Sequence, residues 1–328
     1  MKPATTARRA GQRKDHIAML KKIAISAAVF ATAFLAGAGL SQFERAHAQD
    51  YAAIDARPAL WSISDEASTV WMFGTVHILP PDLDWRDERI DAALDSAETV
   101  WFEAEVFSEE AQGEAAALIP QLGLNPPGVT LTSMISQQGR DHMTVIAERL
   151  GASPAALAAS LDPLQPWLAG ITLAVTQIQA GGYEAESGVD RVLHVSASQS
   201  GKDFGYFETL EQQLRFFADM PMEAQLANLE VSLKEMAEDP QVLSRLVRAW
   251  AAGDTDRLDE LLNASLRDAP GDLYDVLIVE RNEAWIPQIL DILDSGQDAF
   301  IAVGAGHMTG EHGVVALLEA RGLSVTRH

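Results

Sequence analysis

Two stretches of this chain close a short apolar run with glycine and place a histidine three residues later: Gly74-Thr75-Val76-His77 and Gly304-Ala305-Gly306-His307. Neutral imidazole is the commonest metal ligand and a general base near neutral pH. A third feature, WFEAEV at 101–106, sets Glu103 and Glu105 two residues apart, on one face of an extended segment. Carboxylates inside an apolar strand are costly unless a metal or another cation compensates them. Two histidines and one or two glutamates, each at a strand end, suit a hard or borderline divalent ion. Such an ion lowers the pKa of bound water and polarises a carbonyl. A lone histidine in such a loop would be read as a cap or core residue; two in matched motifs point to function.

The elements that must carry these residues can be read outward from them. TVWMFG (69–74) is a buried-strand pattern, HILPPDLDW (77–85) is a loop broken by Pro80-Pro81, and 86–97 has apolar residues at helical spacing. TVWFEAEV (99–106) is a second strand. AFIAVG (299–304) is a strand, 314–322 a helix, and LSVTRH a last strand. Each histidine therefore sits in a strand–GxxH–helix–strand unit. Helical crossovers favour parallel strands, and open α/β sheets bind ligands at the strands' carboxyl edge. The segment from about 107 to 270 reads as mostly helical, with a strand at 202–209, and 274–296 reads as one further helix. The expected fold is α/β: a central, mostly parallel or mixed sheet flanked by helices, with two such units and a large helical middle.

The residues also carry a resemblance. WMFGTVHILP (71–80), Glu103-x-Glu105, Glu280-Arg281-Asn282 and VGAGHMTGEHGVVALLEARGLSV (303–325) together resemble the TraB/GumN family. Gly188-Val189-Asp190 and Tyr206-Phe207-Glu208-Thr209 look like further landmarks of it. That family includes the Tiki-type metalloproteases and is similar, more distantly, to erythromycin esterase and ChaN-like proteins. The resemblance implies an α/β fold and a metal-dependent protease using a divalent ion of manganese, cobalt or zinc type. It makes His77 and His307 ligands and Glu103 a ligand or base. Glu105 is a further candidate, and Arg281 would stabilise a developing oxyanion. Many relatives have Glu-x-Asp where this chain has Glu103-Ala104-Glu105, so the second carboxylate sits here on a longer side chain.

Composition sets the surroundings. Residues 1–22 are basic, 23–40 are apolar, and Ala46-His47-Ala48 offers a small-x-small cleavage site, the layout of a secretory signal peptide over 1–48. Met19 would start a more compact version. The expectation is an exported, periplasmic chain of one domain over 49–328, with a helical insertion at about 107–270, touching membrane only through an uncleaved leader. Without the leader, 16 basic and 45 acidic residues remain, a charge of −29 that argues against nucleic-acid partners. No cysteine is present, so disulfides and thiolate chemistry are out. No serine-nucleophile elbow, Walker loop or dinucleotide fingerprint occurs. The expected function is an exported metal-dependent hydrolase acting on a peptide or small amide-like substrate. The alternatives are a haem- or peptide-signal-binding protein of the cell envelope, with no catalysis, or an envelope protein docking a partner through its helical middle.

Overall fold

The computed structural model describes residues 51–269 and 271–328; the expected leader, 1–48, lies outside them. Six strands form one mixed sheet: β1 (Leu60–Ser64), β2 (Thr69–Thr75), β3 (Thr99–Ala104), β4 (Asp203–Glu208), β5 (Ala299–Gly304) and β6 (Thr326–Arg327). Their spatial order is β4-β3-β5-β2-β1-β6. The four strands β4, β3, β5 and β2 are parallel, and β1 runs antiparallel to both β2 and β6. The expected α/β fold is the one observed. β1 and β2 form a hairpin whose turn is held by Asp65, which accepts from the Ala67 and Ser68 backbone N–H groups at 2.8 Å each.

The two GxxH units interleave rather than standing side by side. The first runs from β2 through α1 (Glu88–Ser96) to β3, and β5 of the second unit inserts between those strands. Parallel register then sets Gly74 beside Val303, Thr75 beside Gly304, and Phe102 beside Ala302. Both glycines and Glu103 thus reach the same carboxyl edge. β5 occupies the centre because AFIAVG is apolar on both faces, as a parallel strand covered on both sides must be. Phe300 and Ala302 pack with α1, α6 (Val189–Gln199) and α9 (Val242–Ala251). Ile301 and Val303 pack with α11 (Glu280–Asp294) and α12 (Val314–Ala320) on the other face.

The segment from 107 to 270 is not wholly a helical insertion. Helices α2 (Glu109–Leu122), α3 (Gln137–Arg149), α4 (Pro154–Leu161), α5 (Pro166–Ala180), α7 (Leu210–Ala218) and α8 (Met222–Glu238) build an apolar core of their own. Yet the same segment returns α6 to one sheet face and β4 to the sheet edge. It also supplies α10 (Thr255–Leu262). A second departure from the sequence reading lies at 274–296: a π-helical turn over Asp275–Val279 precedes α11, so the helix is not regular throughout. Such bulges often lie at functional sites; here Arg281 follows two residues after it. LSVTRH contributes only the two-residue β6, paired with β1. Among the described residues no helix is long and apolar enough to cross a membrane.

Candidate functional site

A cavity of about 200 Å³ opens at the carboxyl edge of β2, β3 and β5. His77, Glu103 and His307 all line it, with Arg281, Gln213 and Gly304. Their convergence can be measured from Gly304: a Cβ there would lie 3.1 Å from Glu103 Oε1 and 4.0 Å from His77 Nε2. His307 Nε2 is 3.9 Å from Glu103 Oε1. The other side of the cavity is apolar, walled by Leu214, Phe216, Phe217, Leu266, Leu277 and Ile278.

His77 is held by residues far away in sequence. Its Nδ1 lies 2.7 Å from Asp190 Oδ2, and Thr75 Oγ1 donates to Asp190 Oδ1 at 2.7 Å. A carboxylate only accepts, so Nδ1 carries the proton and Nε2 is turned to the cavity. Asp190 stands in the first turn of α6, where the helix dipole favours a negative charge. The start of α6 is itself tied to the loop, since Val189 N–H donates to the Val76 carbonyl at 2.9 Å. Gly188 permits that approach, because any Cβ at 188 would overlap the His77 carbonyl. Burial alone would push the His77 imidazole down; Asp190, helped by Glu103, outweighs it and raises the pKa to about 9. The His77 side chain keeps 41% of its surface exposed, so solvent screens part of that rise while leaving its direction.

His307 follows a different logic. Its Nδ1 lies 2.7 Å from Asn282 Oδ1. The Asn282 amide is fixed in orientation because Nδ2 donates to the carbonyls of His307 (3.3 Å) and His312 (2.7 Å). Oδ1 must therefore accept, His307 Nδ1 carries the proton, and the Nε2 lone pair accepts from Arg281 NH1 at 3.1 Å. Burial first, and then the guanidinium, push the His307 pKa down to about 3. It is a neutral imidazole at any pH near 7.

Glu103 accepts from Gly304 N–H (2.8 Å) at Oε1, and from Arg281 NH2 (2.6 Å) and Gln213 Nε2 (3.1 Å) at Oε2. Burial works to raise its pKa; the Arg281 charge, the two imidazoles and the Gly304 N–H outweigh it and hold the carboxyl well below the usual carboxylate range. So acidic a group is a weak base, and its chemistry is that of a fixed negative charge or ligand. Glu105 does not join it. The strand ends at Ala104, and Glu105 turns to accept from Phe107 N–H, Ser108 N–H and the Tyr206 hydroxyl. Arg281 is held by Glu208, whose Oε1 and Oε2 accept from Nε at 2.7 Å and NH2 at 2.9 Å. Phe216 and Trp285 lie under the guanidinium at 5.3 and 5.0 Å.

Sequence reading thus located His77, Glu103, Arg281 and His307, which the fold brings together. It assigned no role to Asp190, Glu208, Asn282 or Gln213. Three of these lie inside recognised motifs, but the contacts that define them span 113, 73 and 25 positions. Gln213, in the first turn of α7, carried no signal.

The donor set fits a divalent ion in kind. Two imidazoles present Nε2 with Nδ1 anchored by a second residue, as ligating histidines generally are, beside a carboxylate kept ionised. The set is not closed around a point: Arg281 NH1 holds the His307 lone pair, and among the described residues no group of three or more His, Asp or Glu is arranged to hold an ion. Binding one at all three residues requires the guanidinium to leave His307.

Residues 59–327 match the model of the TraB/PrgY/gumN family. The chain is 27% identical over 248 residues to the uncharacterized protein YbaP of Escherichia coli (strain K12), covering 75% of this chain and 86% of that protein. The YbaP protein of Shigella flexneri matches to the same extent. No solved structure matches the chain. With the family model spanning both GxxH units and everything between them, the chain belongs to the TraB/PrgY/gumN family.

Proposed function

We propose that this chain is an exported, metal-dependent hydrolase of peptide or small amide-like bonds, working in the cavity between the two GxxH loops. The observation that carries the reading is the convergence of two histidines, each anchored through Nδ1, an ionised glutamate and a guanidinium on one cavity with an apolar wall. His77, Glu103 and His307 are the residues that would hold the ion, of manganese, cobalt or zinc type. Once bound, it would supply Lewis-acid polarisation of a carbonyl and a water of lowered pKa.

The chain's own residues do the rest. Asp190 and Asn282 keep both Nε2 atoms pointed at one place. Glu103 provides a negative charge that does not titrate in the working range. His77 must give up a proton before it can act as a ligand, because Asp190 raises its pKa. Ion uptake therefore strengthens as pH rises toward about 9. Phe216, Phe217, Leu214 and Leu277 receive an apolar group flanking the bond and exclude water from it.

The test measures divalent-ion affinity and peptide-library cleavage for the chain, for His77→Ala and for His307→Ala. The proposal expects one ion per chain, lost in both variants, and cleavage that depends on it. Peptide binding without turnover would move the chain to the peptide-signal-binding reading. If neither an ion nor a peptide binds, both readings fail.

A further inference from the structure

The guanidinium and carboxamide donors that line the cavity are all engaged within the protein. Arg281 has five N–H groups. Nε goes to Glu208 Oε1, NH2 to Glu208 Oε2 and Glu103 Oε2, and NH1 to the Leu277 carbonyl and His307 Nε2. Gln213 has two Nε2 hydrogens, and they go to Glu103 Oε2 and Glu208 Oε2 at 3.1 Å each. Asn263 Nδ2 goes to Asp259 Oδ1 at 2.8 Å and to the Gly306 carbonyl at 3.1 Å. What the two carboxamides leave over is oxygen. Asn263 Oδ1 has no partner and is sealed from solvent. Gln213 Oε1 also accepts no bond among the described residues, but it belongs to a part-buried side chain that lines the cavity. Its direction is fixed, because exchanging the amide oxygen and nitrogen would set the oxygen against two carboxylates.

Resting on the peptide-directed reading above, we propose that Gln213 Oε1 accepts a backbone N–H of the bound peptide. The open carboxamide group is an acceptor, so the ligand that completes it must bring a donor. The ligand must also bring an apolar group. Leu214, Phe216 and Phe217 continue the lining along the same helix as Gln213, and Leu277 adds to it. A peptide unit beside a leucine-like side chain carries both features at a short, fixed separation. A purely aliphatic ligand lacks the donor, and so does a simple anion. Because Nε2 of the same side chain is tied to Glu103, the N–H contact sets the register of the peptide against that carboxylate. Pocket polar groups of this kind fix a ligand's orientation while apolar walls supply most of the buried area. The contact is one of recognition, formed without a bound ion and without any bond to carbon made or broken.

The test is a cycle of affinities in the ion-free chain, where the hydrolytic reading expects no turnover. The probes are a capped Ala-Ala-Leu-Ala-Ala peptide and two depsipeptides, in which an ester oxygen replaces either the leucine N–H or the N–H after it. Each is titrated against the wild type and Gln213→Met, which keeps the side chain's length and removes its carboxamide. In the wild type one of the two ester probes should bind about tenfold or more weakly than the parent, because Oε1 then faces an oxygen instead of a donor. In Gln213→Met the same exchange should cost less than about threefold, and that difference isolates the direct contact. A Gln213 that only clamps Glu103 to Glu208 predicts equal losses in both proteins. Equal losses, or no loss with either ester, overturn the inference and leave the peptide-directed reading standing. If the wild type binds none of the three probes, both are overturned. Should Gln213→Met fail to fold, ¹³C spectra of labelled glutamine in the wild type decide: the Gln213 side-chain carbonyl should shift with the parent peptide and not with the weakened ester, and a carbonyl unmoved by the parent overturns the inference.

Discussion

The two GxxH units share a motif and deliver opposite histidines. His77 is partly exposed, backed by a carboxylate, and raised to about 9; His307 is buried, backed by an amide, faced by a guanidinium, and lowered to about 3. Strand, glycine and three-residue spacing are the same in both. The difference comes from what packs behind each ring: the start of α6 for one, and α11 with its preceding π-turn for the other. A motif aims a histidine, and its neighbours decide which protonation state arrives.

The largest expected effect falls on the residue joining the two units. Arg281→Ala leaves Glu103 and Glu208 buried without their shared cation, and should lower unfolding stability by about 3–5 kcal/mol in denaturant titration. A variant as stable as the wild type would mean that the guanidinium is not the keystone of the site.

Stability against pH separates the two histidines next. His307 is depressed in the folded state, so between its ordinary value of 6.5 and about 3 the unfolded chain binds a proton that the folded chain refuses. Stability should fall as pH drops through that window, by at most about 1.4 kcal/mol per pH unit from this group. His77 is raised, so its contribution is whole below 6.5 and is lost as pH rises to about 9. Calorimetry of the wild type, beside His307→Gln and His77→Gln, should find the acid loss blunted only in the first variant and the alkaline loss only in the second.

Exchanging the backing residues tests the comparison directly. In ion-free protein, Asp190→Asn should lower the His77 pKa by about 1–3 pH units, and Asn282→Asp should raise that of His307 by a similar amount. Histidine NMR titration reads both, and rings that ignore their new partners would break the account. The smallest effect is expected at Glu105→Gln, where backbone contacts outside the cavity weaken: about 1 kcal/mol or less in stability, with the His77 and His307 signals in place.

How much of this could be read beforehand follows from range. The β2 and β5 strands, their glycines and their histidines are local patterns, and the chain shows them plainly. Glu103 was legible because a carboxylate in an apolar strand needs a reason. Glu105 read like its twin, two residues on, because alternation holds only while the strand lasts, and β3 stops at Ala104. The π-turn before Arg281 was invisible, since its residues have helical periodicity either way. Asp190, Asn282 and Glu208 stood in quoted motifs without roles, because a side chain's partner across 73 or 113 positions leaves no spacing to read.

Residue type and short-range period are enough to dictate an α/β chain with two histidine loops, a glutamate and an arginine able to do chemistry. Only the tertiary structure decided that β5 enters between β2 and β3, bringing both loops to one edge. It also decided that one histidine is backed by charge and the other by an amide, and that every N–H of Arg281 is engaged. Strand order and burial arise from long-range packing, and they set the electric field at each ring.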